Sequence, residues 1–403
     1  MDGDPMIVKK DSVISVVSYF LITVWFLIAF TSSASNCLFG YRVCFVLLIV
    51  QLFARLENGY CKIKNDEMRF VVWVFGYAAL GALSSIWALS SEYALATAKM
   101  LCYTAIGPLA LLMFIDNVAK LKNVLNIIII TSGYMILCIV FHLKDSIRPD
   151  IVINNATELY FNTISQMLAF LIVFAYALVK LTKRKVYYIY ILAAYAVIIY
   201  AGSRKSLLFP IIVICFVELY SAKNLNKKMK NIFLILLLVL LLYVAVSSDE
   251  LLYSRMQNLF AALSGDVSAD ASAVERYYYR DLALSMFAER PFLGYGMDNF
   301  QVKLIQLHYG HIAYSHNNWT EVASNLGIVG LVSYYWFYFY IIKENIAGFK
   351  KKNYVAVLII AIVTSFMVFE YGIVSYGIQF YKVVFVILLC TKKIISSTLV
   401  QSE

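Results

Sequence analysis

Residues 313–330 read AYSHNNWTEVASNLGIVG, and the stretch changes character halfway through. Its first half carries His316, Asn317 and Asn318, and its second half opens a long apolar run, 322–342. If that run spans a membrane, the fold is decided, and the polar triplet at its mouth is either loop polarity or a site. The rest of the sequence bears on both questions.

Of 403 residues, 62% are hydrophobic and only 14% charged, with a mean hydropathy of +0.77. A soluble domain of this size does not need so much apolar surface, so lipid must be the solvent for most of the chain. Five prolines and 17 glycines are too few for a loop-rich or fibrous protein. The seven cysteines (37, 44, 61, 102, 138, 215 and 390) form no CxxC pair and sit mostly inside apolar runs. They read as small core hydrophobes, with neither a disulfide framework nor a zinc site suggested.

Apolar runs of about 20 residues cross the hydrocarbon core as helices. Twelve occur, near 13–30, 36–54, 70–89, 94–114, 123–141, 159–179, 186–201, 205–221, 231–247, 322–342, 354–370 and 372–391. The first lacks a small-residue cleavage site and reads as a retained helix. The expected fold is an all-α polytopic membrane protein with about 12 transmembrane helices. Its organisation is 1–247 for helices 1–9, 248–320 for one large outer loop, and 321–403 for helices 10–12.

The net charge of +10 raises a nucleic-acid partner, but the basic residues cluster in short segments between apolar runs, which argues against one. With the N-terminus inside, 22 of the 34 basic residues fall in inner segments, including Lys343 and Arg69, and nine in outer ones. This is the positive-inside pattern, so both termini are expected in the cytoplasm and 248–320 outside. The remaining three, Arg42, Lys99 and Lys382, lie in the outer halves of apolar runs. A charge there either snorkels to the headgroups or faces a cavity or partner. Beside Arg204 and Lys205 in a short outer turn, they outline a positive zone suited to an anionic lipid-linked ligand such as a diphosphate.

Within the outer loop, GDVSADAS (265–272) reads as a flexible turn, and AVERYYYRDLALSMFAER as a helix stopped by Pro291. Arg276 and Arg280, at i and i+4, share one face and could grip phosphate oxygens; the alternative is a solvated face paired with Glu275 or Asp281. GYG at 294–296 reads as a turn, since no strand precedes it. His308, His311 and His316 do not make a recognised zinc spacing, and no metal site is expected. All four histidines, His142 included, fall on the outer side, where one could transfer a proton.

Three stretches together resemble the O-antigen ligase and O-antigen polymerase family. AGSRKSLLFPII (201–212) is similar to the family's short periplasmic turn with an essential arginine. ERYYYRDLALSMFAERPFLGYGMDNF (275–300) resembles its loop segment, and SHNNWTEVASNLGIVGL (315–331) its "HN…E…GiiGl" signature. TAKML (97–101) is also like a segment around a basic residue in ligases. The resemblance implies a GT-C-like membrane glycosyltransferase that works without metal or other cofactor. By position it assigns the donor diphosphate to Arg204 and Arg276 and the essential histidine to His316. Arg280 stands where the family is often aromatic. Lys99, Asn317, Lys205, Arg42 and Lys382 complete the expected substrate-binding set.

The implied donor is an undecaprenyl-diphosphate-linked oligosaccharide and the acceptor a second glycan, at the outer face of the bacterial inner (plasma) membrane. A polymerase is favoured, with a ligase as the alternative and a chain-length regulator as an expected partner. A flippase is a poorer fit, because it should show repeats and interrupted helices near the midplane, and the sequence shows neither.

Overall fold

A computed structural model describes residues 5–31, 34–57, 60–61, 63–143, 160–222, 226, 229, 271–307 and 313–400. The apolar run 231–247, most of GDVSADAS, His308 and His311 lie outside the described residues.

The regular elements of the described residues are helices apart from one two-residue antiparallel pairing. Its elements are α1 (Pro5–Thr31), α2 (Ala34–Ala54), β1 (Leu56–Glu57), β2 (Tyr60–Cys61), α3 (Asn65–Ser84), α4 (Ser91–Phe114) and α5 (Val118–His142). There follow α6 (Phe161–Thr182), α7 (Tyr187–Tyr200), α8 (Arg204–Tyr220), α9 (Ala271–Glu289), α10 (Phe300–Gln306), α11 (Asn318–Lys350), α12 (Tyr354–Phe369) and α13 (Gln379–Val400). Eleven of the twelve apolar runs fall on helices. Among the described residues, six helices are long and apolar enough to cross a membrane, and α7 and residues 38–54 are apolar but shorter. The chain is a multi-pass membrane protein.

It divides into two compact units. The first comprises residues 1–67, 106–214 and 382–403. In it α1 packs on α2 and α5, and α6 on α7. Gly107 permits one close approach, since a Cβ there would meet the Trp25 ring and the Cys44 sulfur. Glu67, buried at 1% exposure, is neutralised by a bidentate pair with Arg55 at 2.7 and 2.8 Å and also accepts the Lys64 N–H. A lone buried carboxylate would be costly in this setting, and the paired guanidinium offsets that cost. Between α5 and α7, Ser132 bonds the Tyr190 hydroxyl at 2.8 Å and Asn126 accepts from Tyr187 at 2.7 Å.

The second unit comprises residues 68–105 and 215–381. Its core is aromatic. Trp73 stacks on Phe337 with ring centroids 4.3 Å apart, and its indole N–H donates to the Tyr334 carbonyl at 2.8 Å. Buried indoles and phenols need such partners for their polar ends, so α3 is held to α11 in one register.

The structure corrects three sequence boundaries. α3 ends at Ser84 instead of running to 89. The last run starts at Gln379 instead of 372, because residues 370–372 form a 3-10 turn and 373–378 are irregular. Most consequentially, α11 is no single rod. At Gly327 the backbone takes φ 63° and ψ −157°, and the helix breaks into a short leg, 318–326, and a long leg, 328–350. A straight helix would put Trp319 and Tyr335 about 24 Å apart. Instead their rings stack at 3.8 Å, so the short leg folds back along the long one. The long leg alone runs ~34 Å, enough to cross a bilayer. The run read as 322–342 therefore begins in a folded-back segment, and the crossing itself starts only after the break.

Candidate functional site

Breaking a helix orphans backbone groups on both sides, and these must find partners. The turn 291–296 supplies them. Ile328 N–H donates to the Pro291 carbonyl at 2.8 Å and Val329 N–H to that of Phe292 at 3.3 Å. In return the carbonyls of Ser324 and Asn325 accept from the N–H groups of Tyr295 (3.0 Å) and Gly296 (2.8 Å). Four main-chain bonds thus clasp the GYG turn into the break. Glycine is required on both sides of the clasp: a Cβ on Gly294 would sit in the Asn325–Leu326 backbone, and one on Gly327 in that of Phe292.

The turn is also pinned from α3 and α4. Met297 N–H donates to the Ser84 hydroxyl (2.9 Å), Ser90 N–H to the Asn299 side chain (2.6 Å), and the Thr97 hydroxyl to Asp298 (2.7 Å). Burial pushes the Asp298 carboxyl above its ordinary value, against the hydrogen bonds from Thr97 and Gln301. Asp298 itself stands in the left-handed region at φ 60°.

Onto this frame the short leg is mounted. Asn317 is its N-cap, extended in backbone (φ −147°), with its side-chain oxygen accepting from the Trp319 and Thr320 N–H groups. Asn318 fixes a second direction: its amide donates to the Tyr335 hydroxyl at 2.9 Å, and its carbonyl accepts from Ser375 and Tyr376. Both asparagines are buried. Glu321, 1% exposed, accepts the Ser315 N–H at 2.7 Å and the Asn325 amide at 3.1 Å, while Asn325 in turn accepts the Phe300 N–H at 2.8 Å. Such a shared network fixes the residues it touches more firmly than any one bond would.

His316 sits between these anchors. It is half-buried and left-handed at φ 56°, a conformation few non-glycine residues adopt and one that marks strain held by its surroundings. Its ring stacks near-parallel on Tyr279 of α9 at 6.2 Å and lies 4.3 Å from that of Tyr314. Tyr279 is buried and donates to Glu275 at 2.6 Å. Arg276 and Arg280 flank it, one turn before and one residue after. Arg276 is exposed; Arg280 donates to the Tyr371 hydroxyl at 2.5 Å and lies 4.9 Å over the Tyr277 ring. The structure thus brings His316 against the helix that carries both loop arginines, and a tyrosine fills the contact between them. Lys99, in the same unit, is exposed with its ammonium 5.8 Å from the Tyr103 ring.

The other expected residues belong to the first unit. Arg204 and Lys205 open α8, both half-buried, after a turn in which Gly202 is left-handed and the Ser203 hydroxyl donates to that of Ser206. A helix N-terminus adds its own positive potential to theirs. Arg42 is exposed on α2, and Lys382 is buried in α13 at 4% exposure.

Sequence reasoning missed three groups. Glu321 was visible as the glutamate of the HN…E signature, four residues after a capping asparagine, but had no role. Asn325 and Glu370 carried no local signal at all. Glu370, fully buried, accepts from Tyr338 at 2.7 Å and from Ser375, partners 32 residues upstream and five downstream. Among the described residues no group of three or more His, Cys, Asp or Glu could hold a metal ion.

Residues 188–335, from α7 to the long leg of α11, match the family model described as O-antigen ligase. Comparison with curated proteins gave no match.

Proposed function

Residues 188–335 belonging to the O-antigen ligase family, a family of glycosyltransferase type, we propose that the protein polymerises undecaprenyl-diphosphate-linked oligosaccharide repeat units. The reaction takes place on the outer face of the bacterial inner (plasma) membrane, with both termini in the cytoplasm and 248–320 outside. The observation that carries this reading is the placing of His316, left-handed at the mouth of α11, against Tyr279 between Arg276 and Arg280.

The chemistry follows from that arrangement. The bond from the anomeric carbon to the diphosphate breaks as an acceptor hydroxyl attacks from the opposite face, which inverts the configuration. Negative charge develops on the leaving diphosphate. Arginine stays protonated at every relevant pH and offers paired donors to phosphate oxygens, so Arg276 stabilises that charge without requiring a metal. Arg204, at the positive end of α8, is assigned the same role by the family resemblance. The acceptor hydroxyl is a weak nucleophile, and His316 orients it and takes its proton. Lys99, Arg42, Lys205 and Lys382 supply the positive surroundings that an anionic lipid-linked donor needs, and a chain-length regulator would act on the product.

His316→Ala should abolish glycan transfer while membrane insertion and expression stay normal; glycan chains of normal length from that variant would overturn the assignment. The matched family's own description favours a second reading, a ligase that hands the glycan to lipid A-core or another acceptor. A deletion strain separates the two. Single repeat units still attached to the core mean polymerase, and no attached units mean ligase.

A further inference from the structure

The long leg of α11 carries a groove that the glycan chemistry does not use. Its wall is one helical face, Leu331, Val332, Trp336, Phe339, Tyr340 and Lys343, and its volume is about 610 Å³. The pairs 332/336, 336/339, 336/340, 339/343 and 340/343, three or four residues apart, keep these side chains on one stripe. The groove has two unlike ends. Trp319 and Tyr335, stacked at 3.8 Å, close one end, and the Trp319 indole is fixed there by its N–H bond to the Met367 carbonyl at 3.1 Å. Lys343 stands at the other end, exposed. Arg69 reaches the same end: it donates to the Tyr340 hydroxyl and lies 4.5 Å over that ring.

From Tyr335, at the closed end, to Lys343 the helix rises ~12 Å. One leaflet of a 30 Å hydrocarbon core is about 15 Å deep. The stripe from the stop to Lys343 therefore fits within a single leaflet, with two cations where headgroups begin. Ammonium and guanidinium groups together recognise a phosphate, and the aromatic walls recognise an acyl chain. A polyisoprenoid long enough to serve as a glycan carrier would run past the Trp319 stop.

We propose that this groove is a binding site for an acidic phospholipid, its phosphate on Lys343 and Arg69 and an acyl chain along Trp336 and Phe339 towards Trp319. With the orientation proposed above, the lipid comes from the cytoplasmic leaflet, opposite the chemistry. The inference does not depend on which glycan is transferred.

Native mass spectrometry of the full-length protein, titrated with phosphatidylglycerol and with phosphatidylcholine of matched chains, tests it. The wild type should retain phosphatidylglycerol preferentially. Lys343→Gln should lower that preference about fivefold, the effect of one cation near a lipid surface. Val332→Trp, at a position 64% exposed, fills the groove and should lower retention of both lipids while leaving glycan transfer unchanged. Equal retention of the two lipids by the wild type would overturn the proposal. So would unchanged phosphatidylglycerol binding in both variants, or its displacement by polyprenyl phosphate at equal concentration.

Discussion

Replacing Gly327 with alanine sets the broken helix of α11 against a straight one. The φ/ψ pair at Gly327 (63°, −157°) lies in a region open essentially to glycine, and holding another residue there costs about 1–3 kcal/mol. The new Cβ would also enter the Phe292 backbone and press apart the Ile328–Pro291 and Val329–Phe292 bonds, each worth about 1 kcal/mol net. Alanine in a continuous helix gains about 1 kcal/mol over glycine. Together these shift the balance by roughly 4–6 kcal/mol towards straightening. The Trp319–Tyr335 stack and the short leg's bonds to Tyr335, Ser375, Tyr376, Met367, Phe300, Tyr295 and Gly296 oppose that shift, and a distance measurement weighs the two sides. Straightening carries the short leg away, and with it His316 leaves Tyr279.

The assay is a distance. Spin labels at Tyr314 and Val332, both exposed, in a cysteine-depleted background, should give a short separation in the parent. In Gly327→Ala it should lengthen towards the ~21 Å that the 14 residues of continuous helix from Asn318 to Val332 dictate. Glycan transfer should be lost while the protein still inserts. A variant that keeps both the short distance and the product ladder would refute the reasoning, because the clasp would then not depend on glycine.

Two further outcomes are expected. Glu321→Ala removes the acceptor for Ser315 N–H and Asn325, one residue before His316, and should cut kcat by about 10- to 100-fold from a network worth roughly 1–3 kcal/mol. Glu321→Gln, which still accepts through its amide oxygen, should recover part of that loss; equal kcat in all three proteins would show that the network does not position His316. Asp298→Asn should stabilise the protein at pH 7. Burial raises the Asp298 pKa, so the folded state binds more protons than the unfolded one and loses stability as pH climbs above 3.8 towards the folded value. Asparagine escapes that loss and suits φ 60° at least as well. Thermal unfolding at pH 7 and below pH 3.8 checks it: the charge-linked part of the gain must vanish at the lower pH, and no gain at pH 7 sinks the argument.

Hydropathy was enough to place eleven of the twelve runs on helices among the described residues, because in lipid every backbone group must be satisfied within its own segment and the apolar runs leave little else to form. It could not reveal the fold-back in α11, since a break costs nothing in composition; Gly327 and Gly330 are unremarkable in an apolar run. Only their contacts give them meaning, Gly327 against Phe292 and Gly330 against Leu326 and Val322. The flippase reading had been set aside partly for want of an interrupted helix. Among the described residues one interruption exists, and its open groups are held by the GYG turn. Motif and sidedness pointed to His316 and Arg276 as the residues of the proposed site, whereas Tyr279 read only as one of three tyrosines in ERYYYRD. Asn325, Ser375 and Glu370 stayed invisible because their partners are brought together by tertiary packing.

The clasp between the GYG turn and the broken helix is made of main chain alone, which gives this corner an uneven tolerance to change. Positions 294 and 327 admit no side chain, yet Phe292 and Leu293, 72% and 46% exposed, contribute only their carbonyls to the joint, Leu293 through the Trp87 indole at 3.1 Å. A library randomised at 292 and 293 alone would therefore redecorate the surface beside the clasp while leaving its main-chain bonds in place. For anyone wishing to retune what this corner of the protein meets, those two residues are the handle the architecture leaves free.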